Sequence, residues 1–153
     1  MPVTETRAGP MREYRARYEA AAESGVAARR AIVTFATTCG FAAKELHDIE
    51  VAAGEAISNA IEHGNRAQGP VDLSCAFDGS TLAIEISDRG PGFANVVQPT
   101  PGAPPTFRGW GLFLMKSLMD RVFYSSNGSI VRLEKLLPRS ELGDSDDASP
   151  LTR

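Results

Sequence analysis

Residues 51–65 read VAAGEAISNAIEHGN, and this stretch belongs to the most regular apolar pattern in the chain. Apolar side chains recur at helical spacing between Ala42 and Ile61, and they are Leu46, Ile49, Ala52, Ala53, Ala56, Ile57 and Ala60. The pattern predicts one long amphipathic helix, with Gly64 as its C-cap. It is the strongest local prediction that the sequence offers.

Two polar residues lie at the border of this helix's apolar stripe. Glu55 and Asn59 are four residues apart and therefore share one face, and His63 extends the same row. Asn is a poor helix former, so an Asn beside the stripe is expected to have its side chain committed to a contact. Its amide oxygen suits Mg²⁺, because hard cations take oxygen ligands. Taken alone, the pair also fits a solvated flank of the helix.

The segment before the long helix predicts one strand and one shorter helix. Residues 14–18 alternate apolar and arginine side chains, which indicates an edge strand. Ser24 is the expected N-cap of a helix that runs to about Thr38 and is closed by Gly40. The inner side of that helix is predicted to consist of Val26, the stem of Arg29, Ile32, Val33 and Ala36.

The segment after the long helix predicts two hairpins. In 71–77 and 82–86 apolar residues alternate with polar or small ones, and Asp78-Gly79 turns the chain between them. A short helix from about Gly111 to Met119 follows. The second hairpin, with strands at 122–126 and 130–136, is turned by Asn127-Gly128. Helices early and strands late favour the α+β class, arranged as a two-layer sandwich.

Two glycine-bearing segments in the second half of the chain are candidates for binding a ligand. The first, SDRGPGF at 87–93, ends a strand with Asp88, and Gly90 and Gly92 permit close backbone approach. A buried carboxylate there could accept a hydrogen bond from an amino group such as that of adenine. A plain turn is the alternative for this segment.

The second glycine segment, RGWGL at 108–112, opens the short helix. Backbone N–H groups at a helix N-terminus form a phosphate site when glycines leave them uncovered. The segment has neither the GK[ST] of a Walker loop nor the pattern of a dinucleotide fingerprint, so alone it also fits a tight loop. The intervening residues, from about Arg89 to Arg108, are rich in proline and predict a functional loop that acts as a lid.

Composition favours one globular domain and excludes several classes of protein. The chain has 153 residues, 42% of them hydrophobic and 23% charged, with a formal net charge of −3. The lack of a dense basic cluster argues against a nucleic-acid binder. No signal peptide is evident, and no window approaches the roughly 18–20 apolar residues of a membrane span, so the cytoplasm is the expected location.

The sequence also predicts the bounds of the folded domain and the state of the two cysteines. The folded domain is expected to span residues 11–137, between flexible tails at 1–10 and 138–153. Cys39 and Cys75 lie far apart, with neither a CxxC motif nor a nearby His pair. They are expected to be buried free thiols of a reducing compartment, although the sequence leaves a disulfide open.

Three motifs, taken in order, resemble the ATP-binding domain shared by type II topoisomerases and histidine kinases, the Bergerat (GHKL) superfamily. Residues 51–65 are similar to its first motif, SDRGPGF (87–93) to the second and RGWGLFLMKSLMD (108–120) to the third. EHGN and the compact length resemble the bacterial anti-sigma-factor serine/threonine kinases, the RsbW-like branch. The resemblance covers about Tyr14 to Leu137. It implies a mixed, mostly antiparallel sheet covered on one face by helices.

The resemblance also implies a role for each motif residue. Glu55 would be the catalytic base, or would orient the attacking hydroxyl, and Asn59 would ligate Mg²⁺. Asp88 would bind adenine. The other residues implied in nucleotide binding are Gly90 and Gly92 around adenine, Arg108, Gly109, Gly111 and Leu112 at the phosphates, and Ser129 near adenine. Trp110 departs from the family pattern, since this position is often basic or small.

The implied activity is phosphoryl transfer from Mg-ATP to a serine or threonine of a STAS-domain anti-anti-sigma partner. The same protein would sequester a sigma factor, and the 14–18 strand with the first helix would form a homodimer surface. Neither direct nucleic-acid binding nor membrane binding is implied. The alternatives are a non-catalytic nucleotide-dependent switch of the same fold, a severed histidine-kinase domain, which would need a phosphoacceptor hairpin, and a scaffold that binds no nucleotide.

Overall fold

A five-stranded sheet and three helices make up the computed structural model of the chain. The structure describes residues 11–67, 69–88, 107–125 and 129–139. At residues 64–67 and 107–109 it describes the backbone but not the side chains. In chain order the elements are β1 (Arg12–Tyr18), α1 (Ala22–Thr38), α2 (Ala43–Ala67), β2 (Val71–Phe77), β3 (Thr81–Ser87), α3 (Phe107–Leu118), β4 (Arg121–Tyr124) and β5 (Ile130–Leu136). The strand order is β1-β2-β3-β5-β4, and every pair of these described strands is antiparallel. The predicted α+β class with a mostly antiparallel sheet is confirmed.

The described helices all lie on one face of the sheet, and none of them covers the other face. Every second residue of the central strands is buried beneath the helices, and these residues are Leu73, Cys75, Phe77, Leu82, Ile84, Ile86, Val131 and Leu133. The alternate residues point to the uncovered face, where Arg17 pairs with Asp72 at 2.7 Å and Arg132 with Glu134 at 3.1 Å. The dry inner face and charged outer face give the two-layer arrangement that the sequence predicts.

Helix α1 begins earlier than predicted and buries a different set of side chains. It starts at Ala22 and no side chain caps its N-terminus, so the prediction of Ser24 as N-cap is wrong. Its buried residues are Ala28, Ile32 and Ala36. Val26, an expected inward-facing residue, is 52% exposed. Gly40 closes the helix as predicted, because its φ of 99° is a left-handed conformation that favours glycine.

Helix α2 is the predicted long helix, and it extends beyond its predicted end. It runs from Ala43 to Ala67, so Gly64 lies inside the helix and is not the C-cap. The predicted apolar stripe is buried, and it includes Ile49, Ala52, Ala53, Ala56, Ile57 and Ala60. A glycine within a helix costs about 1 kcal/mol relative to alanine, which tertiary packing can outweigh. Sequence propensity therefore places the end of α2 too early.

Both predicted hairpins are present, and β1 is the predicted edge strand. The turn between β2 and β3 contains Gly79, whose φ is 97°. The side chain of Asp78 accepts hydrogen bonds from the backbone N–H groups of Thr81 and Ser80, and these bonds lower the pKa of Asp78. β4 and β5 pair antiparallel, while the predicted Asn127-Gly128 turn lies outside the described residues.

Both cysteines lie in the core. Cys39 and Cys75 are buried and free, as the sequence predicts. Burial raises the pKa of the Cys75 thiol to about 12, so this thiol stays protonated at neutral pH and is a weak nucleophile.

None of the helices in the described part of the chain is long and apolar enough to cross a membrane.

Candidate functional site

A row of three polar side chains follows one face of α2. Glu55, Asn59 and His63 recur every four residues, so the row extends about 12 Å along the helix at 1.5 Å per residue. Asn59 is 4% exposed and His63 is 1% exposed, so both lie beneath neighbouring elements. Burial of polar groups is unfavourable unless they contact other polar groups, so the elements at each end of the row define the site.

At the Glu55 end, the row lies against α3. Gly111 is buried, and a Cβ atom added to it would be 2.9 Å from Oε2 of Glu55 and 3.8 Å from Nδ2 of Asn59. Both side chains therefore approach the backbone of α3 at a position where the absence of a side chain leaves room. Three predicted site residues, from two motifs far apart in the sequence, meet here.

At the other end of the row, His63 lies beside Asp88. Nδ1 of His63 is 3.9 Å from Oδ2 of Asp88, and the two side chains are 2% and 3% exposed. Asp88 directly follows β3, and its N–H group donates to the carbonyl oxygen of Ser129, at 3.0 Å, just before β5. The predicted residues Asp88 and Ser129 are thus neighbours, and the Asp88 side chain is buried as the sequence predicts.

The start of α3 differs from the prediction and changes which backbone N–H groups can bind an anion. The helix begins at Phe107 instead of Gly111, so both glycines of the third motif lie within it. N–H groups of the first turn, through Gly109, have no partner within a helix, whereas those of Gly111 and Leu112 lie in the second turn and bond within it. Leu112 instead packs half-buried against the core. The N–H groups that the helix leaves for an anion are therefore those through Gly109.

Parts of the predicted site lie outside the described residues. Gly90 and Gly92 both fall in the stretch 89–106, as does most of the proline-rich loop that is predicted to act as a lid. Arg108 belongs to the first turn of α3, but its side chain is outside the description. The roles predicted for these three residues, like those of the other site residues, remain predictions.

The donor chemistry at the Glu55 end fits Mg²⁺. The amide of the buried Asn59 offers an oxygen atom, the kind of ligand that Mg²⁺ takes, and the Glu55 carboxylate places a negative charge on the same face of α2. Within the described ranges, no cluster of three or more His, Cys, Asp and Glu side chains could hold a metal. Mg²⁺ commonly keeps several waters and is shared with substrate phosphates, so one or two protein ligands are sufficient.

A groove between α1 and α2 also borders Glu55. Its volume is about 910 Å³, and Glu55 forms part of its wall. The other charged or titratable side chains of the wall are Arg29, His47, Glu50 and Glu62. Glu55 therefore borders both this groove and α3.

Sequence reasoning gives no role to His63 and leaves that of Trp110 open. The only signal for His63 is its place in the α2 row, because its contact with Asp88 depends on how α2 packs against the end of β3. Trp110 stacks on Phe113, with ring centroids 5.5 Å apart and planes 25° from parallel. The two rings are 50% and 56% exposed, so this stack lies on the outer side of α3.

The fold and the row define a class of protein. In this two-layer α+β sandwich, the row on α2 runs from the buried carboxylate of Asp88 to the N-terminal part of α3. This layout suits a ligand with a nucleobase at one end and phosphates at the other. A family model described as "Histidine kinase-like ATPase domain" matches residues 18–135. This chain therefore belongs to the histidine kinase-like ATPase family, and within it to the RsbW-like branch.

Curated relatives agree with that assignment. The chain is 32% identical over 139 residues to an anti-sigma F factor of Anoxybacillus flavithermus, covering 84% of this chain and 95% of that protein. It is 30% identical over 138 residues to the serine-protein kinase RsbW of Oceanobacillus iheyensis, covering 82% and 87%.

A solved structure shows the same fold. The crystal structure of the RsbU and RsbW domains of Rv1364c from Mycobacterium tuberculosis aligns with a TM-score of 0.60 and 20% identity. The alignment covers 82% of this chain but only 32% of that chain, so this chain spans about a third of that protein. A sequence identity of 20% shows that the two proteins share a fold and nothing more.

Proposed function

We propose that this chain binds Mg-ATP along the α2 row and transfers the γ-phosphoryl group to a serine or threonine of a partner protein. The observation that carries the proposal is the meeting of Glu55, Asn59 and Gly111 where α2 lies against α3. It brings a carboxylate base, an oxygen ligand and the N-terminal part of a helix together. These are the components that phosphoryl transfer requires.

Asp88 is proposed to bind the adenine ring. Its carboxylate is buried and can accept a hydrogen bond from the adenine amino group, a bond that is stronger where water is excluded. The backbone of Ser129 lies beside it, and the Ser129 hydroxyl group is proposed to contact the same ring. From Asp88 the row leads past His63 to Asn59 and Glu55, so the phosphates would lie towards the first turn of α3.

Glu55 is proposed to act as the base at the phosphate end. The acceptor hydroxyl oxygen forms a bond to the γ-phosphorus, the bond from that phosphorus to the β–γ bridging oxygen breaks, and ADP leaves. The hydroxyl proton passes to Glu55. Asn59 would hold Mg²⁺, which neutralises phosphate charge when bound. Positioning and charge neutralisation dominate this chemistry, so few protein groups are needed.

The proposed acceptor is a STAS-domain anti-anti-sigma protein, and the proposed regulated partner is a sigma factor that this chain sequesters. The relatives' names, anti-sigma F factor and serine-protein kinase RsbW, support the two halves of this proposal. The groove between α1 and α2 offers an acceptor segment a path to Glu55. Phosphorylation adds up to about 2 negative charges, which Glu50 and Glu62 in the groove wall would repel. We expect this repulsion to outweigh the attraction to Arg29 in the same wall and to release the acceptor.

Glu55→Gln tests the proposed reaction. This change removes the base while keeping the shape of the side chain, so we expect transfer to a STAS partner to fall by about 100-fold or more. Binding of Mg-ATP should persist. Transfer is measured with γ-labelled ATP, and ATP affinity by calorimetry. Glu85→Gln is the matched control, because it makes the same change on the uncovered face of the sheet and should transfer like the wild type.

Two outcomes would contradict parts of the proposal. Full transfer by Glu55→Gln would show that Glu55 is not the base. Tight ATP binding by the wild type without transfer to any STAS partner would instead favour the non-catalytic switch.

A further inference from the structure

We propose that Gly111 is a positioning residue for Glu55, because its missing side chain provides the space that the Glu55 carboxylate occupies. The inference rests on the proposed function, since it concerns the same base, but it gives Gly111 a task other than binding phosphate. The N–H group of Gly111 lies in the second turn of α3, where hydrogen bonding within the helix uses it. A phosphate contact through that N–H group therefore does not explain the glycine.

The geometry identifies Glu55 as the group that a larger residue would displace. A Cβ atom on Gly111 would be 2.9 Å from Oε2 of Glu55, well inside the roughly 3.5–4.0 Å at which non-bonded atoms pack best. Nδ2 of Asn59 would be 3.8 Å away, an ordinary contact. One added methyl group would therefore disturb the carboxylate and spare the amide.

The carboxylate, and not the helix, is expected to yield. Oε2 is the far end of a flexible side chain, whereas Gly111 is part of a hydrogen-bonded helix. That helix is fixed to the core one turn later by Met115, which is 1% exposed. The Gly111→Ala change would therefore leave the packing of α3 against α2 intact and would rotate the Glu55 carboxylate away from its position.

This arrangement couples the base to the proposed phosphate site. The first turn of α3, which offers its N–H groups to phosphate, and the backbone that abuts Glu55 belong to one rigid helix. Glu55 is confined on that side only while α3 lies against α2. The packing of α3 against α2 therefore fixes the position of the base relative to the phosphate donors.

Gly111→Ala is the direct test. We expect kcat for transfer to fall by about 100-fold, because an error of about 1 Å in placing a reacting group has an effect of this size. The KM and Kd for ATP and the thermal midpoint should stay close to wild type. Glu55→Asp shortens the side chain by one methylene group and makes room for the methyl group. In that background, adding Gly111→Ala should lower kcat by a much smaller factor.

The control and a crystal structure separate this inference from the proposed function. Ser117→Thr adds one methyl group to the exposed face of α3 and should behave like the wild type. A crystal structure of the Gly111→Ala variant should show the Glu55 carboxylate rotated, whether or not any acceptor is phosphorylated. If the wild-type protein transferred no phosphoryl group, that result would refute the proposed function but not the role of Gly111.

Three results would overturn the role of Gly111. The first is an unmoved carboxylate in the crystal structure of the variant. The second is a loss of kcat on Gly111→Ala that is equally large in the wild-type background and in the Glu55→Asp background. The third is a loss confined to ATP affinity, since a phosphate contact alone would then explain the glycine.

Discussion

Asp88 directly follows β3, its side chain is 3% exposed, and Nδ1 of His63 lies 3.9 Å from its Oδ2 atom. A carboxylate in such surroundings has little access to water, so a ligand that donates a hydrogen bond to it does not compete with solvent. The neighbouring imidazole keeps the surroundings polar. At the scale of single residues, this is the part of the site with the clearest preference for a donor group.

Asp88→Asn should weaken ATP binding. The change removes the negative charge and turns one acceptor oxygen into a donor, and a hydrogen bond to a charged group contributes about 1.5–3 kcal/mol, equivalent to roughly 10- to 150-fold in Kd. Calorimetric titration with Mg-ATP measures the effect. Asp72→Asn, on the uncovered face of the sheet, is the control and should bind as the wild type does. An unchanged Kd for Asp88→Asn would refute the adenine contact.

The residues of the site are predictable to different degrees. Glu55 and Asn59 stand out in the sequence because they interrupt the border of an apolar stripe. The contact of His63 with Asp88 is not predictable, because it depends on how α2 packs against the end of β3. Burial of a polar residue near a helix end depends on the element that covers it, which local pattern does not contain.

At the scale of elements, α3 is attached to α2 near both of its ends. Near the N-terminus Gly111 abuts Glu55, and at the C-terminus the carbonyl oxygen of Leu118 accepts a hydrogen bond from Nζ of Lys135. The same ammonium group lies 3.3 Å from Oδ2 of Asp48 on α2. Lys135 is 9% exposed, so this cation joins β5, α2 and α3 from within.

Lys135→Met should destabilise the fold. The change leaves the carbonyl group of Leu118 and the carboxylate of Asp48 without this donor, and we expect a loss of about 1–3 kcal/mol in the free energy of unfolding. Urea denaturation measures it. Lys44→Met, at an exposed site on α2, is the control and should stay within about 0.5 kcal/mol of the wild type. Equal losses in the two variants would mean that the Lys135 contacts contribute nothing.

The sequence predicts which elements exist better than where they end. Each of the three helices and five strands in the described residues overlaps an element that the sequence predicts. The start of α1 at Ala22, the passage of α2 through Gly64 and the start of α3 at Phe107 differ from the prediction. Capping residues and glycines carry about 1 kcal/mol each, so packing of a whole helix against the sheet easily overrides them.

At the scale of the whole molecule, the site lies where the helical layer meets the ends of the central strands. Glu55 and His63 belong to α2, Gly111 to α3, and Asp88 and Ser129 flank β3 and β5. A ligand that contacts this row touches elements from both layers of the sandwich. Its binding free energy is therefore shared by the fold as a whole and not by one loop.

Mg-ATP should accordingly raise the thermal midpoint of the entire domain. A ligand present at 100 times its Kd adds about 2.7 kcal/mol to stability if it binds only the folded state. For a chain of this size that corresponds to roughly 5–10 °C. Differential scanning calorimetry with and without Mg-ATP or Mg-ADP measures the shift, and Mg²⁺ alone serves as the control. A midpoint unaffected by either nucleotide would favour the scaffold that binds no nucleotide.

Trp110 gives the chain its own optical probe. It is the single tryptophan of the sequence, it is half exposed against Phe113, and it precedes the glycine that abuts Glu55. All indole emission from the protein therefore originates on α3, the helix whose first turn is proposed to receive the phosphates. A rapid-mixing fluorescence experiment can follow that helix in real time as nucleotide arrives, without any attached dye.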